Sequence, residues 1–324
     1  MRLFKVVTFF LGAGLLIWIV RKIGLNELFS SFQTLGWRLI VPIILIFPCY
    51  LFYTWSWQLF LKRFEHHSIP FGALLKIKIA GEASNTLTPL NFIGGDPIRI
   101  WMLSKNFPKA ISGASVVVDR TIQSMAIISM IFLGNLAALF KMDLSSGAKK
   151  ILATTASFLI LFIAFLIFHQ TRGLSEKIFR LGQRLGLKTF SEEHLHKIQE
   201  LDRHVIEFYR RDRRLFFFCY LIHLAGRFVG MTELIVLGYF LDVPIGLWGA
   251  LFFSAVIPVT NLIGAIVPGT FGVLEGVVSS LFLALHWNPA DAIVLQIARR
   301  VRALFWILLG SLFILLSKEK NPRP

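Results

Sequence analysis

Long apolar blocks, not short-period alternation, set the pattern of this chain. They lie near residues 4–20, 39–61, 113–139, 151–169, 215–240, 247–266, 271–286 and 293–316. Most approach the roughly 20 residues that carry a helix across the hydrocarbon layer of a membrane. The pattern predicts an all-α, polytopic membrane protein of about eight spans. Met1-Arg-Leu-Phe-Lys5 followed by an apolar run to Val20 resembles a signal peptide, but it lacks a small-x-small cleavage site and carries Trp18, Arg21 and Lys22 at its end. It reads as an uncleaved first span. Pro258 and Pro268-Gly269 interrupt blocks 247–266 and 271–286, and the stretch Leu74 to Ala80 runs into a similar break. These read as two Gly/Pro-broken, re-entrant segments in pseudo-symmetric halves.

The pattern changes between residues 170 and 214. Ile178, Leu181, Leu185, then Leu195, Ile198, Leu201, Val205 and Phe208 recur at spacings of three and four, which makes amphipathic helices. This linker joins a first half, 1–169, to a second half, 215–324, within one integral membrane domain, 1–324. A helix pair linking the halves and a headgroup-sensing surface both fit it. Its eleven Lys and Arg residues belong in the cytoplasm by the positive-inside rule. Both termini, with Arg2, Lys5, Lys318, Lys320 and Arg323, then fall inside, as does Lys62 to Lys78 with its four basic residues. The 21–38 and 140–150 connections fall outside. The expected location is a bacterial or archaeal cytoplasmic (inner) membrane.

Composition narrows the class. The chain is 56% hydrophobic and 16% charged, with 32 Phe, 8 Trp and a mean hydropathy of +0.69, where a soluble domain has about 25% charged residues. A net charge of +16 does not imply nucleic acid, because the basic residues sit in short loops and the linker, where they attract anionic headgroups. Cys49 and Cys219 fall inside expected spans and read as small buried apolar residues. No CxxC, HExxH or GxxxxGK[ST] occurs, so neither a metal nor a nucleotide or other cofactor is expected. His66, His67, His194, His196 and His204 are placed in loops and His169, His223 and His286 near span ends, which gives no catalytic constellation.

The candidate chemistry lies in the broken segments. Irregular backbone at bilayer depth persists only where protein buries it or it lines a wet cavity. In the first segment Ser84, Asn85, Thr86, Thr88 and Asn91 offer hydrogen-bonding groups, and Pro89 and Pro97 preclude one continuous helix. Gly94-Gly95 permits a sharp turn and close approach. Asp96 and Arg99, three apart, share a helix face. Asp96 suits a helix cap, with Pro97 first in the helix, or contact with a ligand or proton. Arg99 marks a functional path or snorkels to headgroups, and its planar fork matches phosphate oxygens. Asp119 and Arg120 are adjacent, so they point about 100° apart on a helix and need different partners. Arg99 is expected for Asp119, and Asp96 or a lipid phosphate for Arg120.

In the second half Thr260, Asn261 and Thr270 are polar, while Gly264, Gly269 and Gly272 allow close approach. Glu275 stands alone in the apolar run Phe271 to Leu285, so it must be paired with a cation or protonated. Proton carrier, amine ligand and structural ion pair all fit. Arg227 and Glu233, six apart and so not helix neighbours, are each expected to pair with a partner on another helix, and Arg299 with Arg302 to share a face that could meet Glu275. Pro89 to Asp96 aligns with Pro268 to Glu275, with Phe fourth and an acid eighth in each.

Pro89…Gly94-Gly95-Asp96…Arg99, Val118-Asp119-Arg120, Pro258…Asn261 and Pro268-Gly-x-x-Gly-x-x-Glu275 resemble the lysylphosphatidylglycerol synthase/flippase-type transmembrane family, over essentially the whole chain. Family members carry Gly-Gly-Glu…Arg, where this chain has Asp96. The resemblance implies a membrane domain that moves lipids or lipid-linked compounds between leaflets. With Pro324 directly after the last expected span, the aminoacyl-transferase domain of fused members is not expected, nor synthesis of an aminoacyl lipid. The expected function is a flippase or translocase for a phosphate-containing lipid or lipid-linked headgroup, passive or coupled to protons. A transporter of a small soluble solute and an enzyme acting on a lipid-phosphate headgroup are the alternatives. Expected partners are anionic phospholipid or polyprenyl-phosphate lipids and no nucleic acid, with a homodimer or a separate lipid-synthesising enzyme open. The substrate-binding candidates are Asn85, Asn91, Asp96, Arg99, Asp119, Arg120, Asn261, Glu275 and Arg299. Pro89, Gly94, Gly95, Pro258, Pro268, Gly269 and Gly272 are the candidates for gating.

Overall fold

A computed structural model describes residues 33, 35–64, 69–87, 94–141, 146–170, 192–264, 270 and 272–317. The expected first span, part of the linker, and Pro89, Asn91, Pro268 and Gly269 lie outside the described residues. The described residues form helices and no strand. After a 3-10 turn at Gly36–Leu39 come α1 (Ile40–Phe64), α2 (Phe71–Leu87), α3 (Gly95–Leu103), α4 (Lys109–Lys141) and α5 (Ser146–Gln170). Then follow α6 (Glu192–Arg211), α7 (Arg213–Phe240), α8 (Leu247–Ile263), α9 (Val273–Ala284) and α10 (Pro289–Leu316). Gly36–Phe64, Lys109–Lys141 and Arg213–Phe240 are long and apolar enough to cross a membrane. The protein is a membrane-embedded helical bundle.

Local chemistry sets several boundaries. Asn288 accepts a hydrogen bond from the Ala290 N–H at 3.1 Å, and Pro289 takes the first position of α10, a pre-organised helix start. Asp212 alone separates α6 from α7, and Arg63 at the end of α1 holds it at 2.7 Å. α8 runs through Pro258, where the sequence suggested a break. Proline there withholds an N–H from the Ser254 carbonyl, and both residues border the central cavity described below. The linker's described part is α6, whose Val205, Phe208 and Tyr209 are buried in the bundle. A Cβ at Gly113 of α4 would lie 2.7 Å from the Leu201 side chain, so α6 docks on α4 through that glycine.

Two apolar cores form at opposite ends of the bundle. One gathers Trp57, Phe60 and Leu61 of α1 with the start of α2, with α3, and with Ile111 to Ile122 of α4. The other gathers Leu39 with Met130 to Ala138 of α4, Met231 to Leu237 of α7, and residues of α8, α9 and the start of α10. Between them the long helices carry polar side chains: Tyr50 and Tyr53 on α1, Asp119 to Gln123 on α4, His223 and Arg227 on α7, Arg299 to Arg302 on α10.

The packing repeats with reversed direction. α2 and α3 form a hairpin whose arms run between the first core and the polar layer, while α8 and α9 do the same from the second core. α3 packs on the following long helix α4, as α9 packs on α10. The first arms exchange, α2 lying on α10 and α8 on α4. Glycines permit both crossings. A Cβ at Gly310 would sit 2.8 Å from the Ile79 carbonyl oxygen, and one at Gly134 would sit 2.6 Å from Ala255 Cβ. Both fall below the distance at which real side chains pack.

Candidate functional site

The first hairpin ends in a buried ion network. Lys78 on α2 and Arg99 on α3 are fully buried, and both donate to Asp119 Oδ2 on α4, Lys78 at 2.6 Å. His223 Nε2 lies 3.4 Å from the other carboxylate oxygen. The Arg99 guanidinium stacks 4.2 Å over Trp57. Burial of such charges costs several kcal/mol per ion unless paired, which accounts for so dense a cluster. Arg120 grips Asp96 with two bonds, at 2.6 and 3.1 Å, and donates to Gln123 at 3.0 Å. Gln123 in turn donates to Glu82 at 3.4 Å. Three cations, Lys78, Arg99 and Arg120, thus face three anions, Glu82, Asp96 and Asp119.

Several expectations meet their geometry here. Asp119 takes Arg99, and Arg120 takes Asp96. Asp96 also lies 3.4 Å from Arg99. Asp96 is not the helix cap, however. Gly94 occupies that position, and the Gly95 N–H donates to Asn85 Oδ1 at 2.8 Å. Asn85, reaching over from α2, does the capping because Gly95 lies against Gly81 and leaves room for it. Lys78, counted by sequence with the basic residues of the cytoplasmic Lys62 to Lys78 segment, is 0% exposed.

The second hairpin mirrors this device. Arg300 on α10 grips Glu275 on α9 through its Nε at 2.7 Å and through Nη2. Glu275 also accepts the Gly272 N–H at 2.8 Å, and Gly272 holds a φ of 77° that suits glycine. Asp96–Arg120 and Glu275–Arg300 therefore tie each hairpin's second arm to the helix that follows it. Arg299 and Arg302 do not meet Glu275. Both turn to Glu233 on α7, Arg299 at 3.5 Å, because α10 presents Arg300 to α9 and its two neighbours to α7. Asn261 accepts from the Thr270 hydroxyl at 3.1 Å, which stabilises the second hairpin.

A cavity of about 350 Å³ opens in the polar layer. Tyr50, Tyr53, Glu82 and Gln123 line one side, and Arg227, Glu233, Arg299 and Arg302 the other, with Trp306 and Pro258 at its edge. Of the substrate-binding candidates, Arg299 borders it; Asn85, Asp96, Arg99, Asp119, Arg120, Asn261 and Glu275 do not. Arg227 stands 5.6 Å over the Tyr53 ring. Among the described residues, no group of three metal-ligating side chains occurs.

Residues 4–310 match the family described as the lysylphosphatidylglycerol synthase TM region. The chain belongs to this family. Comparison with curated proteins gives no match, and neither does comparison with solved structures. The family is defined by the membrane region of a lipid-modifying protein, so membership carries a membrane, lipid-related setting.

Sequence reasoning did not place Tyr50, Tyr53, Gln123 or Trp306 at a site. In a membrane chain rich in aromatics, Tyr50 and Tyr53 look like any apolar span residues. Arg227 and Glu233 did carry a signal, as charges interrupting an otherwise apolar span.

Proposed function

We propose that the protein translocates a phosphate-bearing lipid between the leaflets of a bacterial or archaeal cytoplasmic membrane. The observation that carries this reading is a charged cavity midway along a bundle whose two ends are apolar cores. A flippase must offer a polar headgroup such a chamber while its tails stay in hydrocarbon. In this reading the chain spans the membrane about eight times with both termini inside. The hairpins α2–α3 and α8–α9 are re-entrant elements entering from opposite faces, the arrangement of inverted-repeat transporters.

Exposed aromatics support that placement. Trp37, Phe140, Tyr239 and Trp248 are 76, 78, 79 and 48% exposed at the second-core end, as in an interfacial belt. The opposite end carries Lys62, Arg63 and the basic run Arg210 to Arg214, and would be cytoplasmic. The ion-paired Asp96 and Glu275 hold the hairpins to α4 and α10 and are the places where a gate would open. No nucleotide-binding loop is present in the sequence, so movement is passive or coupled to protons. An enzymatic step on the headgroup is not part of the reading.

A proteoliposome assay tests it. Purified protein should accelerate flipping of fluorescent phosphatidylglycerol, aminoacylated phosphatidylglycerol or a polyprenyl phosphate over a neutral diacylglycerol. No acceleration of any of them, with or without a pH gradient, would remove lipid translocation.

A further inference from the structure

Among the described residues, the charges of the polar layer do not balance. Lys78, Arg99 and Arg120 are offset by Glu82, Asp96 and Asp119, and Arg300 by Glu275. On the remaining wall of the cavity three cations, Arg227, Arg299 and Arg302, stand beside one carboxylate, that of Glu233, which pairs with Arg299 and Arg302. Two positive charges are therefore left over at this wall. Arg299 and Arg302 each contact Glu233, which is 2% exposed. Arg227 sits six residues before Glu233 on α7, about 120° around the helix from it. Its guanidinium lies over the Tyr53 ring, and its buried Nε has no hydrogen-bond partner among the described residues. Trp306 Nε1, on the opposite helix α10, is likewise buried and unpartnered.

Uncompensated cations in a low-dielectric interior are costly, and that cost falls when an anion enters. We infer that this cavity binds a phosphate ester and that Arg227 is its receptor, with Arg299 and Arg302 supplying the opposing positive field. Phosphate fits better than a smaller anion for two reasons. Its several oxygens can reach donors on both α7 and α10, and the guanidinium fork binds two of them at once. The volume, at the small end of ligand pockets, suits a headgroup without its acyl chains. The inference deepens the translocation reading by moving headgroup recognition from Arg99 and Arg120, whose charges are already paired with Asp119 and Asp96, to Arg227.

Binding to the full-length protein in detergent tests this, with tryptophan fluorescence or thermal shift as readout. The probes are glycerol 3-phosphate, dihexanoyl-phosphatidylglycerol and, for comparison, acetate at equal ionic strength. At least one phosphate ester should bind ten times more tightly than acetate. Arg227→Met and Arg227→Lys should each weaken that binding at least tenfold, Lys because it keeps the charge but loses the fork. Unliganded Arg227→Met should melt no lower than the wild type, since it removes an uncompensated cation, whereas a purely structural arginine would lower the melting temperature.

Binding of the short-chain lipid alone, or of both esters, assigns the site to a headgroup. Binding of glycerol 3-phosphate alone keeps Arg227 as a phosphate receptor but makes the cargo a soluble ester, and the translocation reading falls. Equal affinity for acetate, unchanged affinity in both Arg227 variants, or lipid flipping that Arg227→Met leaves untouched would overturn the inference. The last of these would leave translocation standing.

Discussion

Lys78 and Arg99 converge on one oxygen of Asp119, and none of the three side chains reaches solvent. Removing the carboxylate would strand two cations. Asp119→Asn should therefore destabilise the protein by about 3–5 kcal/mol, the usual cost of breaking a buried pair. Adding Lys78→Met should recover part of that loss. Thermal melting in detergent checks both, and an unchanged melt for the single variant would deny the network its structural role. The pairing of Asp119 with Arg99 was legible because adjacent charges on one helix must seek separate partners. Lys78 was not, since it was counted among the four basic residues that place Lys62 to Lys78 on the cytoplasmic side. The three neighbouring arginines of α10 show a second limit. Which of them meets which acid depends on helix rotation, and neighbouring positions differ by about 100°.

The helices themselves were largely legible, because their length and apolarity dominate any local signal. The expected spans 39–61, 151–169, 215–240 and 293–316 overlay α1, α5, α7 and α10 to within a few residues. Pro258 misled, since the helix neighbours around it hold α8 together through the missing hydrogen bond. The exchanged crossings, α2 on α10 and α8 on α4, left no mark in hydropathy. They depend on single glycines whose importance shows only when the partner backbone is known. Gly310→Leu and Gly134→Leu should each cost about 1–3 kcal/mol by overpacking, whereas Gly276→Ala, with nothing within 4 Å of its new Cβ, should be neutral or stabilising. Melting temperatures of the three variants separate these outcomes. A Gly310→Leu protein as stable as the wild type would mean that α2 and α10 can part freely.

At the scale of the molecule, two reversed sets of helices enclose one polar layer, and each hairpin is fastened by an acid–arginine pair. The alignment of Pro89–Asp96 with Pro268–Glu275 falls partly outside the described residues, which include its last acids, Asp96 and Glu275, and their neighbours. The cavity was not visible in the sequence, because its walls come from six helices far apart along the chain. Its role is tested most directly by the flipping rate of fluorescent phosphatidylglycerol in proteoliposomes, measured for the wild type and for Ser254→Trp, which fills the cavity. We predict fast flipping by the wild type and at least a tenfold loss in a Ser254→Trp protein of normal helical content and melting temperature. Equal flipping by both proteins would contradict passage of the headgroup through the central cavity.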